Sequence, residues 1–292
     1  MSTSPTAPLT PTTSTTSVAS VDAAPGGRGA TAGVGVTQAR VLRAEWTKFR
    51  SLRSPLITLL IASGLIVGLG ALISALRGGA YDTMTAAERA TFDPIAISLG
   101  GLTFAELAIG VLGVLLMTGE YATGMIRATL TAVPRRLPVL WAKVTITFVV
   151  AFVVTLVATL AAFLLGQAIL NGHGLGVGLG ADGALRSVVG AGLAIAVVAV
   201  IGLAIGTLLR NTAAGISTFV AVFFVVPPLM SLLPDSWNSA ISPYLPSNAA
   251  GALFGSSMSE ETLAPWTGFA VLCGYAVVLV AAAAWQLRRR DA

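Results

Sequence analysis

Glu106 is the sole charged residue well inside an apolar run of this 292-residue chain. An ionised carboxylate near the centre of a bilayer costs roughly 2.5–3.5 kcal/mol on insertion scales, so it must face protein or water. Two roles are open to it: a proton-relay or substrate contact, or a carboxyl protonated or hydrogen-bonded within a helix bundle or dimer seam. The other reactive side chains support less. His173 stands in Asn171-Gly-His-Gly, where glycines hold no catalytic geometry, and reads as an exposed loop histidine. Cys273 is the only cysteine and reads as a small buried hydrophobe. One His and one Cys make neither a disulfide nor a zinc or haem site. The only lysines, Lys48 and Lys143, follow Thr47 and Ala142, so the Gly-Lys-Ser/Thr of a phosphate-binding loop is absent. No Ser–His pair or pair of acids lies within the apolar runs, which argues against an intramembrane enzyme. The chain thus offers no catalytic, metal or cofactor residue, and ATP, if it supplies the energy, must be bound by another polypeptide.

The elements that position these residues are membrane helices. Only 10% of residues are charged, against roughly 25% in a soluble domain. Apolar residues reach 55% and the mean hydropathy is +0.87. Such a chain has too few polar side chains to cover a water-soluble globule, and it is too apolar to remain unfolded. Its apolar residues form runs of about twenty, the length a helix needs to cross roughly 30 Å of hydrocarbon. The fold class is an all-α polytopic membrane protein with six spans, placed at 56–76, 95–117, 144–165, 188–209, 213–233 and 266–285. Pro227 and Pro228 interrupt the fifth and must kink or unwind it. Trp266 and Trp285 bracket the sixth, about 28 Å apart along a helix, as an aromatic girdle would. Residues 1–38, rich in Ser, Thr, Pro, Ala and Gly, read as a disordered tail without a signal-peptide core, and 39–292 as the transmembrane domain.

Charge asymmetry sets the orientation. With the N-terminus inside, only Arg77, Arg89 and Arg186 of the 17 basic residues fall outside, which puts both termini in the cytosol. The pI of about 10.0 therefore reports topology; the basic residues are dispersed along membrane edges, and nucleic-acid binding is the weaker reading. No internal repeat is evident, so an inverted-repeat carrier gains no support.

Two segments stand out at the inner edge. Arg40 to Arg53 forms an amphipathic helix with Val41, Leu42, Trp46, Phe49 and Leu52 on one side and Arg40, Arg43, Thr47, Arg50 and Ser51 on the other. It suits the membrane interface, with cations toward anionic headgroups, either as a topogenic anchor or as a lever on a moving subunit. Glu45 breaks its apolar side, which implies contact with protein there. The second segment, Thr118 to Lys143, joins spans two and three with about 26 residues where a handful suffices. Thr123 is placed to cap a short helix through Met125, Ile126 and Leu130, Pro134 to stop it, and Pro138 to start the next. This transverse helix would display Glu120, Arg127, Arg135 and Arg136. Its apolar residues need a partner: either the underside of its own bundle or a soluble protein.

With these two segments and six spans in this order, the chain resembles the membrane subunit of bacterial ABC transporters of the ABC-2, export-type class. The resemblance is carried by Leu-Arg-Ala-Glu-Trp-Thr-Lys at 42–48 and Gly-Glu-Tyr-Ala-Thr-Gly-Met-Ile-Arg at 119–127, and runs from about Arg40 to the C-terminus. It implies a separate ATPase chain that binds ATP and Mg, docked on a coupling helix between spans two and three. By carry-over, Glu120, Tyr121, Thr123, Gly124 and Arg127 belong to the ATPase-facing joint, and Arg43, Trp46, Lys48, Phe49 and Arg50 to an interfacial elbow helix. It also implies a second permease chain, the same or different, in the bacterial cytoplasmic membrane, and a re-entrant segment between spans five and six. Pro234 to Pro265, with Trp237, Ile241, Tyr244, Leu245, Leu253 and Phe254, has apolar content suited to that. The expected cargo is amphipathic or lipid-like, and the direction is export. Alternatives are a proton-coupled secondary transporter using Glu106 and a non-transporting scaffold or immunity protein.

Overall fold

The computed structural model describes residues 37–133, 136–230, 232–255 and 262–289, without the side chains of residues 127, 130 and 132. The tail, Pro134, Arg135, Glu260, Glu261 and Arg290 lie outside the described residues. No strand occurs among those described, and six helices are long and apolar enough to cross a membrane.

The chain enters through α1 (Gln38–Ser51), whose buried residues Val41, Glu45 and Phe49 recur at i, i+4 and i+8. That spacing makes one narrow stripe, and it packs along the start of α7 (Leu137–Asn171). Val41 meets Val139 and Ala142, and Gln38 Nε2 donates to the Pro138 carbonyl at 3.1 Å. Trp46 and Leu52, on the expected apolar side, are instead exposed at 43% and 45%, the surface a membrane-edge helix offers to lipid. Leu52 is extended, with φ −87° and ψ 123°, and turns the chain into α2 (Arg53–Ala80), the first span. Pro55 is tolerated there because first-turn N–H groups lack intrahelical acceptors.

Beyond the first span lies α3 (Ala86–Ala90), held by a capping box between Thr85 and Glu88. The Thr85 backbone N–H donates to the Glu88 carboxylate, which holds that carboxyl below its ordinary range. The second span differs from the expected 95–117. Asp93 accepts from the N–H groups of Ile95 and Ala96 and starts a five-residue helix, α4 (Pro94–Ser98); the long helix α5 runs Leu102–Ala122. The chain breaks at Gly100-Gly101 because Gly101 lies against the Leu65 and Ile66 backbone, where a Cβ would overlap. The span is thereby shifted toward its C-terminus, and Glu120 and Tyr121 end a membrane helix rather than open a loop.

Next come α6 (Met125–Ala132) and the 35-residue α7, whose Pro138 sits in its first turn as expected. At 1.5 Å per residue α7 is about 52 Å long, well beyond a hydrocarbon core. Span four, α8 (Ala184–Leu209), is the axis of the bundle. It is buried over 89% of its most apolar window, against 17% for span five, and packs on α5 and α7. Gly202 lies on the Gly110 carbonyl and Gly113 on the Ala199 carbonyl, so α5 and α8 approach at backbone distance. Gly64 and Gly68 of α2, by contrast, meet nothing within 4 Å and lie on its outer face.

Span five begins as α9 (Thr212–Val220), widens to a π-helical turn at Ala221–Val225 and finishes as α10 (Val226–Met230). The wide turn comes just before Pro227 and Pro228, whose missing N–H groups prevent a regular ladder. After it, α11 (Asp235–Ile241) leads to α12 (Pro246–Phe254), which folds back onto α8 and the last span, α13 (Pro265–Arg289). Ala249, Ala250 and Leu253 of α12 are fully buried against the bundle, whereas Trp237, Ile241 and Tyr244 before it are exposed.

Candidate functional site

Both lysines of the chain converge at one end of the bundle. Lys143, in the second turn of α7, donates to Glu45 Oε2 of α1 at 2.7 Å and also to Glu120 Oε1 at the end of α5. Lys48 of α1 pairs with the same Glu120 oxygen. Glu45, Glu120 and Lys143 are each less than 10% exposed. The four form a closed set with two positive and two negative charges, which is what permits their burial: removing one would leave a charge without a counterion in a poorly solvated place. Lysine suits the centre because its compact ammonium has three donors to divide between two carboxylates. The set joins the entry helix, the second span and the third, three elements distant in sequence.

The sequence reading placed Glu120 on the transverse helix, displayed outward. That is corrected: it belongs to α5 and is buried. Thr123 likewise caps nothing in α6. Its hydroxyl donates back to Gly119 at 2.8 Å and closes α5, while the N-cap of α6 is Gly124 at φ 71°, a left-handed conformation that glycine adopts without strain. Tyr121 is half-buried beneath Arg210, whose guanidinium carbon is 5.3 Å from the ring centroid. The side chain of Arg127 is outside the described residues. Arg136 turns inward and donates to the Leu287 carbonyl at 3.2 Å, tying the end of α13 to the start of α7. Of the joint residues, Thr123 and Gly124 are exposed, together with Met125. On the other face of α6, Ile126 is 3% exposed and packs with Met117, Leu140, Leu203 and Leu287. This short helix therefore both packs against its own bundle and leaves an exposed face.

On α1, Arg43 and Arg50 are exposed, Lys48 is half-buried in the charge set, and Phe49 is buried with its ring stacked on Trp46 at 6.3 Å between centroids. A cavity of about 320 Å³ adjoins the charges, walled by Phe49, Leu112, Leu116 and Ile146 beside Glu120 and Lys143.

Glu106 is remote from this site, fourteen residues or about 21 Å up α5. It is 5% exposed inside one chain, which removes the dimer seam as its location. Its Oε1 has no hydrogen-bond partner, and no ion pair reaches it among the described residues. In span three the buried Thr155 hydroxyl likewise has no hydrogen-bond partner, but other polar groups are committed. Gln167 donates to Pro94 and Ser98 and accepts from the Val177 N–H, while Thr159 donates to backbone carbonyls of its own helix and of Val188. His173 is exposed, as expected, and Cys273 is only half-buried.

Sequence reasoning missed the charge set as a unit. Two signals for it were present: a glutamate on the apolar side of α1, and both lysines lying at membrane edges of a chain that otherwise uses arginine.

Six helices long and apolar enough to cross a membrane, with α1 before them and the short helix α6 between the second and third, define a polytopic membrane protein. Residues 41–228 match the model of the ABC-2 family transporter proteins, and the chain belongs to that family. It is a permease component of an ABC transporter, a membrane part that is not itself catalytic. No curated protein matches the sequence.

Proposed function

We propose that this chain is the pathway-forming subunit of an exporter that moves an amphipathic or lipid-like substrate across the bacterial cytoplasmic membrane. A separate ABC ATPase binds ATP and Mg and docks beneath α6. A second permease chain completes the pathway, and the weakly buried spans one, five and six supply the surface for it and for lipid. Both termini are cytosolic: Arg43, Arg50, Arg136, Arg288 and Arg289 gather at the α6 end, and Arg77, Arg89 and Arg186 at the other.

The observation that carries the reading is the two-sided placement of α6. Ile126 anchors it to four spans, and Met125, Thr123 and Gly124 remain open to a partner. A push on α6 reaches the bundle through Ile126, and through Glu120 it reaches α1 and α7. Closure of paired ATPase domains would move this end as a body and shift the pathway between inward- and outward-facing states. The family's dependence on an ATPase favours this over proton coupling, since Glu106 has no second intramembrane charge to relay with.

The test is purification of the tagged chain from its native membrane in mild detergent. An ABC ATPase carrying Gly-Lys-Ser/Thr is expected to copurify, and the pair reconstituted in vesicles is expected to move amphipathic cargo only with ATP. Transport by the permease alone, or loops around α6 reacting with an external impermeant probe, would overturn the reading.

A further inference from the structure

Spans three and six both pack on the axial helix α8 and make little contact with each other, which leaves a groove between them. It holds about 470 Å³, with buried Val200 of α8 and Ala276 and Val280 of α13 as its floor. Arg288 closes one end, and the exposed Trp141 and Trp285 stand at that same end. From Ala276, midway along α13, to Arg288 is about 18 Å of helix. Half of a roughly 30 Å hydrocarbon core is about 15 Å, so the groove has the depth of one leaflet. By the orientation proposed above, that leaflet is the inner one.

The charge at its rim has one sign. The helices α7, α8 and α13 contain no acidic residue. Arg288 and Arg289 are exposed, and neither forms an ion pair among the described residues. Arg289 lies over the Trp285 ring, its guanidinium carbon 4.4 Å from the centroid, which holds a second positive charge beside the groove. Arg290 and Asp291, which follow in sequence, lie outside the described residues and leave the run 288–291 positive. The occupant must therefore be apolar over one leaflet and negative at its end. A second copy of this chain does not fit. At this end it offers exposed Arg43, Arg50 and Arg53, while Glu45 and Glu120 are buried against lysines. A zwitterionic phospholipid would bring an ammonium group to the same arginines, and an anionic one brings no cation. The guanidinium fork of Arg288 matches a phosphate, and tryptophans flanking it suit the headgroup level.

We propose that the groove between α7 and α13 binds an anionic phospholipid, its phosphate on Arg288 and one acyl chain lying over Val280, Val200 and Ala276. None of Thr123, Gly124 and Met125 lines this groove, so the site is separate from the face of α6 assigned to the ATPase.

The experiment uses the full chain in phosphatidylcholine nanodiscs containing phosphatidylglycerol with a diazirine at the end of one acyl chain. Saturable labelling is expected on peptides containing Ala276–Val280 and Val200. It should exceed labelling by phosphatidylcholine with the same chain at least tenfold, about 1.4 kcal/mol of preference. Unlabelled phosphatidylglycerol should compete, and glycerol 3-phosphate in solution should not, which separates a lipid from a free phosphate. Arg288→Gln combined with Arg289→Gln should reduce the preference to within about twofold, with the unfolding temperature unchanged. Ala281→Trp, at an exposed position inside the groove, should block labelling while keeping both arginines. Equal labelling by the two lipids, displacement by glycerol 3-phosphate, or no labelling of these peptides, as a second chain seated there would give, would each overturn the proposal. A nanodisc offers lipid to both leaflets alike, so these outcomes are distinct from a failure of the export reading or of the orientation.

Discussion

Lys143 and Glu45, 98 residues apart in the chain, share a hydrogen bond 2.7 Å long between two side chains that are both nearly excluded from solvent. With Lys48 and Glu120 they fasten the entry helix to the second and third spans at the end of the bundle where α6 packs. Tight coupling at this point has a mechanical meaning: a displacement of α6 cannot be absorbed by α1 sliding freely past α7.

Removing the central cation should expose the cost of the burial. Lys143→Met leaves Glu45 and Glu120 facing one remaining lysine, and roughly 3–5 kcal/mol of stability should be lost. Adding Glu45→Gln should restore part of it, because the orphaned charge then disappears. Denaturant unfolding of Lys143→Met, Glu45→Gln and the double variant in detergent checks this, and purely additive losses would count against a coupled set.

The open face of α6 is testable separately. Met125→Asp places a charge on an exposed apolar position and should weaken ATPase docking at least tenfold, about 1.4 kcal/mol, with no change in unfolding temperature. Glu120→Lys is a poor substitute for this test, because it gathers three lysines around Glu45 in a buried place. Unaltered binding of the ATPase by the Met125 variant in a pull-down would remove α6 as the docking element.

Glu106 distinguishes the energy source. Glu106→Gln preserves shape and hydrogen-bonding capacity and cannot ionise. ATP-dependent transport by this variant should stay within about twofold of wild type, a barrier change well under 1 kcal/mol. Abolished transport with normal ATP hydrolysis would restore the proton-coupled alternative.

The backbone contact between α5 and α8 should tolerate no side chain. A Cβ on Gly113 would overlap the Ala199 carbonyl, so Gly113→Val should cost about 1–3 kcal/mol or more. Gly119→Ala, six residues on and in open space, should be neutral or stabilising by up to about 1 kcal/mol through helix propensity. Paired unfolding measurements on the two variants give the contrast.

How far the sequence led differed by element. Span four was placed well because it is a continuous apolar run, and its end at Leu209 agrees with the structure. Span two was misplaced by several residues. Hydropathy does not distinguish a short capped helix from the first turn of a span, and the Gly100-Gly101 break is imposed by the Leu65–Ile66 backbone. For α6, the position was legible from the apolar pattern of Met125, Ile126 and Leu130 ahead of Pro134. The cap was not, because Thr123 satisfies its own helix while Gly124 supplies the turn. Glu45 was recognised as misplaced on an apolar side, but nothing in the linear order names its partner.

Composition and span length by themselves determined a six-span membrane protein, because a bilayer tolerates only long apolar helices and few charges. The charge set, the inward turn of Glu120 and the central position of α8 were decided by the tertiary structure alone. Each depends on which helices meet: a buried charge is stable only beside its counterions, and those lie 23 and 98 residues away along the chain.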